Sequence, residues 1–128
     1  MIENEAMNIT SDEFNLREQL AEIDASIEEQ KRIIEISEAT TELMSNPAFR
    51  TVILDEYITK EAARLCEILT EPNPLKRDQI ENVIEMTSAI RHFKTFLRHK
   101  REDGEQAENT IEQLNKLREE VCAGNAEI

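Results

Sequence analysis

From Asp12 to Asn46 the chain contains neither glycine nor proline, the two residues that most readily interrupt a helix. Within this stretch Leu16, Leu20, Ile23, Ile27 and Ile34 recur at steps of three, four or seven. That spacing holds them on one face of a helix, in the manner of a coiled-coil seam. Gln30, Ser37 and Thr41 continue the stripe with polar groups, and Met44 closes it. Thr10 and Glu13 have the spacing of a capping box, in which each side chain satisfies a first-turn N–H. One long acidic helix is therefore expected over residues 10–45, with a seam that weakens in its second half. About 34 helical residues at 1.5 Å each make a rod of about 50 Å. A compact protein of this length has a diameter of about 36 Å. The first helix is thus expected to overhang a compact monomer. Its seam needs either the last helix of the same chain, folded back as a hairpin, or another copy of the chain.

Punctuation places the other elements. Asn46-Pro47 offers an N-cap followed by a first-turn proline, and a second helix is expected from Pro47 towards Thr70. Its apolar face is read as Phe49, Val52, Ile53, Tyr57, Ala62, Leu65, Cys66 and Leu69, with a kink or fresh start available at Tyr57-Ile58-Thr59. Asn73-Pro74 repeats the device for a third helix, whose inner face is read as Ile80, Val83, Ile84, Ile90, Phe93 and Leu97. Glu102-Asp103-Gly104 marks either its end or a weak point inside a longer helix. A last amphipathic stretch carries Ile111, Leu114, Leu117 and Val121, and Gly124 stands where a C′ glycine belongs. Residues 1–9 carry no pattern and are expected to fray. No stretch alternates with the period of a strand. The expected fold is all-α: a long N-terminal coiled-coil-like helix and two or three further helices in an elongated bundle. Its parts are the frayed start (1–9), the long acidic helix (10–45), a helical core (46–103) and an acidic C-terminal helix (104–128).

Composition narrows the function classes. With two Gly and three Pro in 128 residues, a turn-rich sandwich or barrel is excluded. Only 4% of residues are aromatic and there is no Trp, so the core is aliphatic rather than an aromatic-lined pocket. Cys66 and Cys122 form no CxxC pair and lie among apolar neighbours, so both are expected as buried, reduced thiols. The N-terminus is acidic and lacks the basic and apolar regions of a signal peptide. The longest apolar run, Val52-Ile53-Leu54, is far too short to span a membrane. A protein acting in the cytoplasm, or in an assembly made there, is expected.

The net charge of −13 opposes wrapping a nucleic-acid duplex, but it is unevenly spread. Residues 1–46 hold 3 basic and 12 acidic groups, whereas residues 72–101 hold 7 and 3. The basic block peaks in Arg91, Lys94, Arg98, Lys100 and Arg101, with no acid from 91 to 101. Two readings stay open: a patch for an anionic partner or nucleic acid, or a complement to acidic helices of this chain or of neighbouring subunits. The second is preferred, because five cations in so acidic a protein make a poor footprint for DNA.

Signals for catalysis are weak. His92 and His99 lie seven apart, and His99-x-x-Glu102 is a lone pair at ligand spacing where a helical metal site needs more; surface histidines are expected. The serines have neither a nearby His nor the glycines of a nucleophile elbow. Two glycines cannot build a phosphate-binding loop. No catalytic residue, metal or cofactor is expected, and the chain is not expected to be an enzyme.

The segment Asn46-Pro47-x-Phe49-x-x-Val52-Ile53-Leu54-x-x-Tyr57-x-x-x-Glu61-Ala62-x-Arg64-Leu65, ending in Leu69-Thr70-Glu71-Pro72, resembles small all-helical proteins encoded by tailed bacteriophages. In those too a long charged helix precedes the segment and a helix bearing Phe and Arg follows it. The resemblance covers about residues 20–100 and implies a phage origin, among head or virion assembly genes. It transfers no catalytic residues. The acidic end after Gly104 departs from it.

These readings lead to one expectation and two rivals. The first is a non-enzymatic phage protein that self-associates through Leu16, Leu20, Ile23, Ile27 and Ile34. It would contact a phage or host protein through Arg91, Lys94, Arg98 and Arg101, with Tyr57 and Arg64 as further contacts, in host cytoplasm or virion. The second is an acidic inhibitor of a host nucleic-acid machine, with Glu22, Glu28, Glu29, Glu35 and Glu38 standing in for phosphates. The third, nucleic-acid binding through residues 91–101, is the least favoured. No membrane association is expected.

Overall fold

The computed structural model describes residues 11–72 and 75–126. These form three helices of an all-α bundle, with no strand among the described residues. Helix α1 spans Ser11–Ser45. Helix α2 covers residues 47–70 as three consecutive pieces, Pro47–Phe49, Arg50–Glu61 and Ala62–Thr70. Helix α3 spans Arg77–Ala126. No helix of the described residues is long and apolar enough to cross a membrane. The expected fraying of 1–9, the Thr10 cap and the Asn73-Pro74 start lie outside the described residues.

Local chemistry sets the boundaries. Helix α1 opens with Asp12 and Glu13 in its first turn, where carboxylates oppose the positive helix end. At the junction the Asn46 amide donates to the Leu43 carbonyl at 3.0 Å. The Asn46 side-chain oxygen then accepts from the Ala48 and Phe49 amides at 2.9 and 3.2 Å, with Pro47 as the first helical residue. That is the cap expected from the sequence. Helix α3 opens by half of a capping box: Gln79 reaches back to accept from the Lys76 amide at 3.0 Å.

The middle of α2 departs from expectation. Residues Arg50–Glu61 wind as a π-helix, in which each N–H reaches five residues back. The Thr59 hydroxyl marks the same offset, donating to the Leu54 carbonyl at 2.9 Å; it does not cap a new helix. The stretch is rich in β-branched side chains (Thr51, Val52, Ile53, Ile58, Thr59), which crowd the preceding turn of an α-helix. The inner face runs through Leu54, Ile58, Ala62 and Leu65, at steps of four, four and three. Val52 is 59% exposed and Leu69 is exposed, while Leu54 and Ile58 turn inward.

Two compact units divide the chain: residues 1–35 with 105–128, and residues 36–104. In the first, α1 and α3 lie side by side. Ile23 and Ile27 are 7% and 9% exposed and Ala107 is buried, and Arg118 pairs with Asp24 at 3.0 Å. The seam's cover in this unit is therefore the same chain's last helix. In the second unit Leu65, Val83 and Ile90 form the core, flanked by Ile58, Ala62, Ile68 and Met86. Val83, Ile90 and Leu97 repeat every seven residues on α3 and are all buried, whereas Ile80 and Ile84 are exposed. Tyr57 meets Phe93 edge to face, with centroids 6.2 Å apart and planes at 69°.

One open reading is decided and two expectations are corrected. Gly104 does not end a helix: of its two readings it takes the second position, as a buried residue inside the longer helix α3. Gly124 is no C′ residue either, because the helix runs on to Ala126 and no glycine of the described residues has positive φ. Cys66 and Cys122 are free thiols but exposed, not buried.

Candidate functional site

The basic residues of α3 separate into three settings. Lys94, Arg98 and Arg101 stand at steps of four and three, so one face of the helix carries all three. In the second unit they border a groove of about 320 Å³ whose remaining lining is Met44, Leu54, Ile58, Thr59 and Leu97. Each element supplies part of it. The last turn of α1 brings Met44, the π-helical segment brings Leu54 and Ile58, and α3 brings Leu97 with the cations. The groove therefore has an apolar floor and a positively charged rim.

Those cations are largely unpaired. Arg98 lies 4.0 Å from Glu102, a loose exposed pair of little energetic weight. Among the described residues neither Lys94 nor Arg101 has an ion-pair partner; the Arg101 carbonyl alone is engaged, accepting from the Ser37 hydroxyl at 2.8 Å. Arg91 belongs to a separate cleft, with Leu69, Ile84, Thr87 and Ser88. Lys100 sits over the Phe96 ring, 5.4 Å from its centroid, a cation–π contact on the surface.

The two residues of α2 expected to touch a partner are already engaged. Arg64 holds Glu61 by two hydrogen bonds, its Nε donating to Oε2 at 2.9 Å and its Nη2 to Oε1. This fork holds the Glu61 carboxyl below its ordinary value and raises the Arg64 guanidinium. One turn away, the Lys60 ammonium donates to Glu56 at 2.6 Å and is raised in turn. Tyr57 rests against Phe93.

The seam residues fare differently. Ile23 and Ile27 are buried, and Leu16, Leu20 and Ile34 are half-buried. In the first unit Leu16 and Val121 floor a cleft of about 400 Å³ edged by Asp12 and Glu120. Its signature is the reverse of the basic groove. His92 and His99 are both exposed, and no three His, Cys, Asp or Glu side chains gather as metal ligands among the described residues.

Leu54 and Ile58 escaped the sequence reading. Yet they precede Leu65 by eleven and seven residues, the spacing of its own helix face; the stripe drawn through Val52, Ile53 and Tyr57 passed them by. Met44, read as the end of the seam, turns out to serve the groove. Comparison of the chain with protein-family models, with curated proteins and with solved structures finds no match.

Proposed function

We propose that the protein is a non-enzymatic interaction protein of a tailed bacteriophage, self-associating and acting by binding protein, in virion assembly or as a virion component. The observation that carries this reading is the groove of the second unit, where Lys94, Arg98 and Arg101 surround an apolar floor. Apolar contact that excludes water supplies affinity, and a charged rim selects the partner and its orientation. The cations have few acids of their own to answer them, so an acidic protein surface is the fitting occupant. The phage setting, in host cytoplasm or virion, rests on the resemblance carried by residues 46–72.

Mass spectrometry of purified virions tests the setting. A constant copy number per particle supports a virion component. Abundance in infected cells with none in particles supports an assembly factor or the second reading. Lys94→Glu/Arg101→Glu should abolish the binding of an acidic phage structural protein; unchanged binding would remove the groove from the proposal.

The second reading is an acidic inhibitor of a host nucleic-acid machine. The supporting observation is that Glu22, Glu28, Glu29, Glu35 and Glu38 are all exposed on α1, with Glu28 alone among them in an ion pair, to Lys31. Reversing these charges should abolish capture of a purified host nucleic-acid-binding protein and leave the groove's partner bound.

A further inference from the structure

In the first unit Ile23 and Ile27 of the α1 seam are buried, so self-association needs another surface. The opposite face of the same unbroken helix supplies one. Phe14, Glu18, Ala25, Arg32 and Ile36 follow one another at steps of four, seven, seven and four. At 3.6 residues per turn this holds all five within about 40° of one another, and about half a turn from Ile23 and Ile27. All five are exposed, Phe14 at 61% and Ile36 at 43%. Among the described residues neither Glu18 nor Arg32 has an ion-pair partner. The row is a palindrome. Read outward from Ala25 the spacing is the same in both directions, with an acid answering a base and an aromatic side chain answering an aliphatic one. Glu18 and Arg32 stand about 21 Å apart along the helix, so the row cannot complete itself. An identical row running the other way completes it.

We propose that two copies of the chain pair through this face of α1, with the helices antiparallel about a two-fold axis at Ala25. Glu18 of each copy then faces Arg32 of the other, Phe14 packs on Ile36 of the other, and Ala25 meets Ala25. Ala21, also exposed on this face, and Ala25 keep the centre free of bulk, which lets the two backbones approach closely. The inference rests on the self-association proposed above and supplies its surface. The same patch serves both copies, so the contact closes at a dimer. On one flank Arg17 comes near Glu35 of the other copy. On the other flank Glu22 and Glu29 of both copies crowd the axis and oppose the pairing, so a dissociation constant of about 0.1 mM is expected.

Charge reversal tests the pairing. Light scattering at about 0.3 mM protein should find wild type largely dimeric and nothing larger. Glu18→Arg and Arg32→Glu each set like charges opposite one another, and each alone should associate at least about tenfold more weakly. Both side chains are exposed, and unchanged circular dichroism verifies each fold. Mixed in equal amounts, the two variants put opposite charges back at both places and should recover a heterodimer. The double variant Glu18→Arg/Arg32→Glu should recover the homodimer. A crosslink reads the axis. With Cys66→Ser/Cys122→Ser as background, Ala25→Cys should join its own counterpart by a disulfide under mild oxidation, because a residue on the axis meets itself. Ala39→Cys, exposed on the same face, should not, since antiparallel pairing sets its two copies about 42 Å apart. Wild-type protein that stays monomeric would overturn both this pairing and the self-association reading. A dimer indifferent to the charge reversals, or crosslinking at Ala39→Cys as readily as at Ala25→Cys, would overturn the pairing and leave self-association through another surface standing.

Discussion

The hydroxyl of Ser37 donates to the carbonyl of Arg101 at 2.8 Å, and the next turn of α3 presents Gly104 directly to the same serine. A Cβ built at residue 104 would collide with both Oγ and Cβ of Ser37. Ser37 is itself buried, and its hydroxyl is satisfied. One short polar side chain on α1 and one absent side chain on α3 thus let two helices approach closely at this level.

Gly104→Ala tests that approach. Alanine is the better helix former by about 1 kcal/mol, so an isolated helix would gain. Here the Ser37 Cβ is fixed to its backbone and cannot rotate away, so the helices must part. We expect a net loss of about 1–3 kcal/mol, the usual cost of overpacking, read as a lower urea midpoint with an unchanged slope. Ser37→Gly in the same chain should restore part of it, giving a coupling in a double-mutant cycle.

Leu65 has no exposed surface and sits between Val83 and Ile90. Leu65→Ala should cost about 2–5 kcal/mol by urea unfolding. The neighbouring Leu69→Ala, on an exposed residue, should cost well under half as much. Equal losses would refute the assigned face of α2.

Asn46→Ala removes the acceptor of two first-turn amides. A loss of about 1 kcal/mol is expected, with Asn46→Asp or Asn46→Ser largely retaining the cap. Thermal melts of the three variants give the ranking.

The Glu61 carboxyl lies below its ordinary value because Arg64 donates two hydrogen bonds to its charged form. The unfolded chain therefore takes up that proton at a higher pH than the folded one. The pair's stabilisation is present above the ordinary carboxylate range and fades as pH falls through the lowered folded value. Glu61→Gln should flatten the acid limb of the urea midpoint measured against pH, and high salt should shrink the difference, since the pair is solvent-exposed. Lys60 runs the other way: its raised value means that the Glu56 contact is fully present below the ordinary lysine range and lost as pH rises through the folded value.

Cys66 and Cys122 are both exposed and free. A thiol reagent should titrate two groups per chain in the native protein without denaturant, at similar extents. A requirement for unfolding before either reacts would contradict this exposure.

Much of the helical architecture was legible before any coordinates. The unbroken run from Asp12, the Asn46-Pro47 start and the inward positions Val83, Ile90 and Leu97 of the third helix are local signals, and local hydrogen bonding and periodicity answer them directly; Ile80 and Ile84, read on the same face, are exposed. The face of α2 was misread. Leu54 and Ile58 share the helix face of Leu65 at steps of four and seven, but apolar side chains from Phe49 to Ile58 point all round the helix, so the stripe there had no single solution and was drawn through Val52. Most of the groove was hidden for the same reason, although its rim was visible as a basic stripe. The cysteines were misread because apolar neighbours in sequence are not neighbours across a helix face.

The sequence by itself determined that this chain is helical, where α2 begins, and that its acids and bases lie apart along the chain. Those properties belong to single residues and their nearest turns. Only the tertiary structure decided what the long seam packs against, whether Gly104 breaks α3, and which side chains floor the groove beside Lys94, Arg98 and Arg101. A lone glycine costs a helix about 1 kcal/mol, a deficit that close packing can offset. Here the packing partner is Ser37, whose hydroxyl bonds a carbonyl 64 residues along the chain, beyond the reach of any local pattern.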